Sequence, residues 1–213
     1  MDGVLFDSER ASLECWRILA DEKNLPGIDE VYKRCIGGDV RHTRGILKNA
    51  YPSLSDVSVD ELLSRSSILF HERYDHDGMP LPMKPYAKET LTALIERGHR
   101  LGLVSSTRKE TVVRQLKNAH LYDMFEHITG GDEVSAAKPS PEIYQTGAGL
   151  MGVSPKDCIA IEDSYNGVRS AHAALCHTIM VPDMIPADDE MRRLAEVICN
   201  DLNEAYQWII TVS

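Results

Sequence analysis

The chain has 213 residues, of which 43% are hydrophobic and 26% are charged. This length suits one medium-sized domain, or a core domain that carries a smaller insertion. With 23 Lys and Arg against 33 Asp and Glu, the formal net charge is -10, and such a surface repels phosphate backbones, which argues against nucleic acid as a partner.

The cysteines and the hydropathy pattern indicate the compartment. The five cysteines are scattered without a C-x-x-C pair, an arrangement typical of reduced thiols rather than of a disulfide framework or a zinc site. No apolar run is long enough to span a bilayer, and no basic segment followed by an apolar one precedes the domain. We therefore expect a cytoplasmic protein without a membrane partner, either a monomer or a weak homo-oligomer.

The first part of the chain is predicted to be helical. Amphipathic stretches recur from residue 8 to about residue 81, and the proline-rich segment 79–85 then forms a linker. Ser8 is a candidate N-cap of the first helix, and Pro26-Gly27 is expected to stop it. The predicted helices cover residues 8–24, 29–35, 40–50 and 59–74.

After the linker, helices alternate with short apolar strands. Such an alternation is typical of a parallel sheet that is covered by helices on both faces. The predicted strands are residues 101–104, 127–129, 158–161, 178–181 and 197–198, and the predicted helices are residues 86–97, 109–118, 141–151, 165–174 and 202–210. The fold class is therefore a doubly wound α/β core formed by residues 1–7 and 82–213, with residues 8–81 as a small helical insert.

Polar residues follow the predicted strands at their carboxyl ends, where ligands gather in sheets of this type. Ser105, Ser106 and Thr107 follow the first strand. One interpretation is helix capping, because Thr107 and Glu110 have the spacing of a capping box. The other is that Ser105 and nearby backbone N–H groups hold a phosphoryl oxygen at a helix N-terminus.

Charged residues in similar places allow the same two kinds of interpretation. Glu162 and Asp163 either complement a helix dipole or offer the hard oxygen ligands that suit Mg²⁺. Lys138 is either solvated or neutralises phosphate charge and orients a carboxylate nucleophile. Asp2 is either a turn residue before Gly3 or a general acid and base beside the reacting phosphate.

The order and spacing of these residues resemble the haloacid dehalogenase superfamily, in the branch that holds β-phosphoglucomutase-like enzymes and phosphorylated-carbohydrate phosphatases. The resemblance covers essentially the whole chain, and the helical insert matches the small cap domain of the family. It rests on four segments, which are residues 1–9 (MDGVLFDSE), 103–107 (LVSST), 138–144 (KPSPEIY) and 161–164 (IEDS).

The resemblance implies a mechanism through an aspartyl-phosphate. An aspartate at the end of the first strand attacks phosphorus, and Asp2 matches the residue that protonates the leaving oxygen and then activates water. The implied catalytic and phosphate-binding residues are Asp2, Ser105, Ser106 and Lys138. Glu162 and Asp163 match the positions that anchor Mg²⁺, which spreads the transition-state charge.

The family places its nucleophile immediately before the residue that Met1 matches. On this resemblance the chain lacks the nucleophilic aspartate and the central strand that carries it. Loss of a covalent nucleophile costs on the order of 10⁴ to 10⁶ in rate, so we expect the chain as written to be inactive or impaired. A binding protein would lose one carboxylate more readily than a whole strand, which favours a start placed at an internal Met, or a truncated sequence, over a pseudoenzyme.

The expected substrate is a small phosphorylated metabolite, most of all a sugar phosphate. Arg41 and Gly37 lie in a segment that resembles the substrate loop of the family, although Arg41 is equally interpreted as a solvated residue. A phosphosugar mutase is the first alternative, which Arg108-Lys109 weakens because the mutase branch tends to have lysine and asparagine there. Haloacid dehalogenation, which needs no metal, and a catalytically dead ligand-binding protein are the others.

Overall fold

The structure is a computed structural model that describes residues 1–36, 40–74 and 80–212. The chain divides into two compact units, one formed by residues 1–7 and 82–213 and the other by residues 8–81. Within the described ranges, no helix combines the length and the apolar character needed to cross a bilayer. That the smaller unit acts as a cap stays a prediction.

The smaller unit is helical, as its amphipathic pattern predicts. Its described helices are α1 (Ser8–Lys23), α2 (Ile28–Cys35), α3 (Val40–Ala50) and α4 (Asp56–Tyr74). Both α1 and α3 pack against α2 and α4, and Cys15, Leu47 and Val59 are fully buried between them. Asn24 adopts a left-handed conformation with φ 54°, so α1 ends just before the Pro26-Gly27 turn that was expected to stop it.

The prediction that Ser8 caps the first helix is wrong. Ser8 is already the first residue of α1, and its side chain is buried. Its hydroxyl has no hydrogen-bond partner among the described residues. A cap must stand outside the helix, with its oxygen toward the N–H groups of the first turn, and a residue inside that turn does not have this geometry.

The larger unit alternates helices with strands. Its strands are β1 (Gly102–Val104), β2 (His127–Thr129), β3 (Ile159–Glu162), β4 (His177–Met180) and β5 (Val197–Ile198). Its helices are α5 (Ala87–Glu96), α6 (Lys109–Asn118), α7 (Glu142–Leu150), α8 (Tyr165–Ala173), α9 (Asp189–Leu194) and α10 (Leu202–Val212). Each predicted strand is present within one or two residues of its expected position.

The strands of the larger unit form two separate sheets. β1 pairs with β2, and β4 lies between β3 and β5. Each of these pairings is parallel, which confirms the predicted parallel α/β core. In the described part of the chain, the outer edges of β1 and β3 pair with no other strand.

The hydrogen bonds show which backbone groups lie on these two edges. Ser105 N donates to Thr129 O in the β1–β2 pairing, at 3.0 Å. Because successive residues of a strand direct their backbone groups to opposite sides, Gly102 and Val104 face away from β2. Val104 is only partly buried. One edge of β1 therefore offers backbone donors and acceptors beside an incompletely covered apolar side chain.

The edge of β3 has the same character. Val181 N donates to Glu162 O at 2.8 Å, so the backbone groups of Ile159 and Ile161 face away from β4. Both isoleucine side chains are only partly buried, although the apolar strands of a parallel sheet are normally covered. Within the described residues, the larger unit thus has two parallel strand edges whose backbone groups pair with no other strand.

Candidate active site

The first seven residues form a tight turn whose position is fixed by the larger unit. Val4, Leu5 and Phe6 are buried. Lys84 N donates to Leu5 O at 2.9 Å, and Asp7 N donates to Pro82 O at 2.8 Å. These contacts anchor the turn that carries Asp2 to the segment before α5.

Asp2 lies at the carboxyl end of β1. Its Oδ2 accepts hydrogen bonds from Ser105 Oγ at 3.3 Å and from Thr107 Oγ1 at 3.0 Å. Ser105 is buried, and its hydroxyl also accepts a hydrogen bond from Thr107 N at 3.1 Å. The structure therefore brings together two residues that the sequence suggests for catalysis, Asp2 and Ser105.

The predicted capping box of Thr107 and Glu110 is wrong. The Thr107 hydroxyl donates to Asp2 instead. The N-cap residue of α6 is Arg108, and its side chain makes no hydrogen bond to the first turn of the helix. That turn is capped from a distance, since Asp132 Oδ1 accepts from Lys109 N at 2.8 Å. Because the Thr107 hydroxyl does not cap α6, it can donate to the Asp2 carboxylate.

The turn at Asp2-Gly3 also contacts the carboxyl end of β3. A Cβ atom on Gly3 would lie 2.1 Å from Asp163 Oδ2, and the backbone of Gly3 has φ +67°. Both facts require glycine at this position. The Asp163 carboxylate therefore lies against the backbone beside Asp2, which places two carboxylates in one small region.

Replacing Gly3 by alanine is expected to destabilise the protein by more than the backbone conformation alone explains. A left-handed non-glycine residue costs about 1–2 kcal/mol, and the Asp163 carboxylate must also move. Gly152→Ala is the matched control, because Gly152 has φ +69° and open space around its Cβ position. Urea unfolding measures both losses of stability, and equal losses would contradict the contact with Asp163.

Lys138 and Glu162 form a buried ion pair. Lys138 Nζ contacts Glu162 Oε1, and the two side chains are 11% and 7% exposed. Tyr144 donates its hydroxyl hydrogen to the same oxygen at 2.5 Å. Burial by itself raises the pKa of Glu162. The charges of Lys138 and of the N-terminal ammonium, together with the hydrogen bonds from Lys138 and Tyr144, outweigh burial, so the pKa falls below its ordinary value.

The second oxygen of Glu162 lies against the start of α8. A Cβ atom on Gly167 would be 2.0 Å from Glu162 Oε2. The nearby N-cap is Ser164, whose Oγ accepts from Gly167 N at 3.3 Å. Because both Glu162 oxygens have close protein neighbours, its contacts favour a role in holding Lys138, and its predicted role as a metal ligand stays a prediction.

The loop before α7, which carries Lys138, is held by Glu142. Glu142 accepts from Ser135 N at 2.8 Å and from Ala136 N at 2.9 Å. Ser140 Oγ accepts from Glu142 N at 3.3 Å, and Pro141 is the N-cap residue of α7. The two backbone hydrogen bonds lower the pKa of Glu142 below 4.5.

Glu142→Gln is expected to lower the melting temperature near pH 7, because a neutral amide replaces a carboxylate that accepts two N–H bonds. A pKa that is lower in the folded state stabilises the protein above the unfolded value of 4.5, and this contribution disappears as the pH falls through the folded-state pKa. The difference in melting temperature between Glu142→Gln and the native chain should therefore shrink below pH 4.5. Glu89→Gln, at an exposed first-turn glutamate of α5, is the control for replacing a surface carboxylate by an amide.

The described residues offer oxygen ligands for a divalent cation but no complete cage. They include no group of three or more His, Cys, Asp and Glu side chains that could hold a metal ion. Mg²⁺ is commonly bound by one or two carboxylates together with water and substrate phosphate. The carboxylate of Asp163, beside the Asp2-Gly3 turn, fits that chemistry.

The contacts of the remaining predicted residues do not test their roles. Ser106 is exposed, and its carbonyl oxygen lies against Gly131. Arg41 is exposed near the start of α3 in the smaller unit. Gly37 lies outside the described residues. Roles for Ser106, Arg41 and Gly37 stay predictions.

Comparisons with known proteins show where the chain belongs. The family model described as haloacid dehalogenase-like hydrolase matches residues 1–181. Hexitol phosphatase B from Escherichia coli K12 is 29% identical over 217 residues, which cover 96% of this chain and 90% of that protein. A phosphatase-like relative from Bacillus subtilis is 38% identical over 102 residues, which cover 48% of this chain and only 46% of that protein.

A solved structure shows the same fold over nearly the full length. β-Phosphoglucomutase from Clostridium difficile superposes with a TM-score of 0.68 at 21% identity, covering 99% of this chain and 96% of that chain. At this identity the likeness shows the fold alone.

Proposed function

This chain belongs to the haloacid dehalogenase-like hydrolases, and we propose that it hydrolyses the phosphate ester of a small phosphorylated metabolite, most of all a sugar phosphate.

 The observation that carries the proposal is the meeting of catalytic groups at one edge of the core. Asp2 is held by Ser105 at the end of β1, and its turn lies against Asp163 at the end of β3. The relation to hexitol phosphatase B supports the sugar-phosphate class.

Each residue of this cluster has a proposed task. Ser105 and the backbone N–H groups that follow β1 hold the oxygens of the transferring phosphoryl group. Lys138 supplies a positive charge next to them. Asp163 is the protein ligand of Mg²⁺, which stabilises the negative charge on the phosphoryl oxygens when it is bound. Asp2, fixed by two hydroxyl donors, moves the protons.

The proposed nucleophile is an aspartate that immediately precedes the position of Met1, at the end of a strand between β1 and β3. In the described residues, one edge of β1 and one edge of β3 pair with no other strand, which supports this placement. A carboxylate oxygen forms a bond to phosphorus while the ester P–O bond breaks, and Asp2 protonates the leaving oxygen. Water then attacks the phosphoryl group, Asp2 takes its proton, and the carboxylate leaves as phosphate is released.

Phosphate release from a panel of hexose and hexitol phosphates tests the proposal. The chain should be assayed with an aspartate-ending strand added before Met1, once in magnesium chloride and once in excess chelator. Magnesium-dependent release of inorganic phosphate is expected. Conversion of β-glucose 1-phosphate to glucose 6-phosphate without net phosphate release would instead identify a mutase, and inactivity on every ester would favour a ligand-binding protein.

A further inference from the structure

Tyr144 makes a contact in the candidate site that its place in the sequence does not predict. Its hydroxyl donates to Glu162 Oε1 at 2.5 Å, the same oxygen that Lys138 Nζ contacts. The Lys138 ammonium also lies 5.3 Å from the centroid of the Tyr144 ring. The phenol therefore contacts both members of the ion pair, one through its oxygen and the other through its ring face.

These contacts restrict the two charged side chains in different ways. Tyr144 contacts one side of the Glu162 carboxylate, and Gly167 lies against the other side. Glu162 Oε2 is so close to Gly167 that a Cβ atom on that residue would have no room. A lysine ammonium is a point charge on a flexible four-carbon stem, so it needs fixed neighbours to keep one position. Glu162 provides one neighbour, and the face of the Tyr144 ring provides a second through a cation–π contact.

The Tyr144 hydrogen bond also changes how strongly Lys138 is neutralised. Burial and the neighbouring Glu162 charge raise the pKa of Tyr144 well above its ordinary value, so the phenol stays a hydrogen-bond donor. Its hydrogen bond takes up part of the negative charge of the carboxylate oxygen. Lys138, which has three N–H donors, can then direct a hydrogen bond and its charge toward a phosphoryl oxygen.

We propose that Tyr144 is a positioning residue that holds Glu162 and, through it and the ring face, keeps the Lys138 ammonium in place for the phosphoryl group. This inference rests on the proposed function, in which Lys138 binds that group. It adds a residue whose hydroxyl acts only through Lys138 and Glu162.

Binding of inorganic phosphate in magnesium chloride, measured by calorimetry, tests this role without requiring turnover. Tyr144→Phe removes one oxygen and should weaken phosphate binding about 5-fold, the size expected for one typical hydrogen bond. Tyr206→Phe is the matched control, because Tyr206 also has a hydroxyl hydrogen bond and a cation over its ring, both from Arg97. That variant should bind phosphate as the native chain does.

A double-mutant cycle shows whether Tyr144 acts through Lys138. Lys138→Met should weaken phosphate binding more than Tyr144→Phe does, and adding Tyr144→Phe to Lys138→Met should cause no further loss. Additive losses would overturn the inference and leave the proposed function intact. Native-like phosphate binding by Lys138→Met would instead count against the role of Lys138 in the proposed function.

Acetylation rates, followed by mass spectrometry, decide the matter if Lys138→Met does not fold or if phosphate binding is too weak to measure. Lys84 is an internal reference, since its ion pair with Asp183 leaves it 13% exposed, close to the 11% of Lys138. In Tyr144→Phe, acetylation of Lys138 should rise about 5-fold relative to Lys84. An unchanged ratio, or a parallel rise at both lysines, would show that Tyr144 does not position Lys138.

Discussion

An added N-terminal strand that ends in aspartate is expected to raise phosphate release about 10⁴-fold over that of the printed chain. The segment should contain about six apolar residues, the length of an ordinary strand, with Asp directly before Met1. The edge groups of Gly102 and Val104 on β1, and of Ile159 and Ile161 on β3, can pair with a parallel strand between them. The carboxyl end of that strand then lies beside Asp2, where the aspartate can reach the phosphoryl group.

A second extended chain separates the strand from its chemistry. The same segment ending in Asn should pair with both edges and cover the partly exposed side chains of Val104, Ile159 and Ile161. Both extended chains should therefore melt at higher temperature than the printed chain, since added apolar burial stabilises the folded state. Only the Asp-ending chain should turn over substrate rapidly.

Two outcomes of this comparison would count against the proposal. Equal turnover by the Asp-ending and Asn-ending chains would show that this carboxylate is not the nucleophile. Melting temperatures that do not rise in either chain would show that the strand does not pair with the edges of β1 and β3. In that case, slow turnover would carry no information on the nucleophile. Turnover and melting temperature must therefore be measured on the same preparations.

The fold of the larger unit is predicted well from local patterns. Runs such as residues 101–104 and 158–161 are short, apolar and bounded by polar residues, and they become β1 and β3. The helices between them follow from their amphipathic spacing. The pairing of strands is harder to predict, because it depends on contacts between residues far apart in sequence, so the division into two sheets emerges only in three dimensions.

The candidate site is predicted in part. That Asp2 and Ser105 lie together follows from the rule that polar residues meet at the carboxyl ends of parallel strands. The interpretation of Thr107 as a cap fails because its hydroxyl donates to Asp2, while Asp132, 23 residues after Lys109, caps the first turn of α6. A local motif cannot show that a distant side chain will cap the same turn.

The partners of Glu162 are also beyond the reach of sequence patterns. Tyr144 lies 18 residues before Glu162, and the two meet because the chain between them returns to the end of β3. In the sequence, the adjacent pair Glu162 and Asp163 suggests two equivalent acids. The structure distinguishes them, since Glu162 is buried against Lys138 and Asp163 lies against Gly3.

In the extended chain, Asp2→Asn is expected to lower turnover of a sugar phosphate about 10²- to 10⁴-fold, the usual effect of losing a general acid and base. An asparagine keeps the size of Asp2 and an acceptor oxygen for Ser105 and Thr107, so the fold should remain. The substituted side chain can neither protonate a sugar alkoxide nor take a proton from water. Asp123→Asn, at an exposed residue of the same unit, controls for the loss of one negative charge.

p-Nitrophenyl phosphate makes the two proton transfers separable, because its leaving group departs without protonation. Asp2→Asn should then form the aspartyl-phosphate rapidly but hydrolyse it slowly, which gives a burst of about one nitrophenolate per chain before slow turnover. Intact mass spectrometry should show the phosphorylated chain during that slow phase. A mutant that loses both phases equally would place Asp2 in substrate binding. Unchanged turnover would remove Asp2 from the mechanism, because proton transfer by Asp2 requires the second step to slow whatever the leaving group.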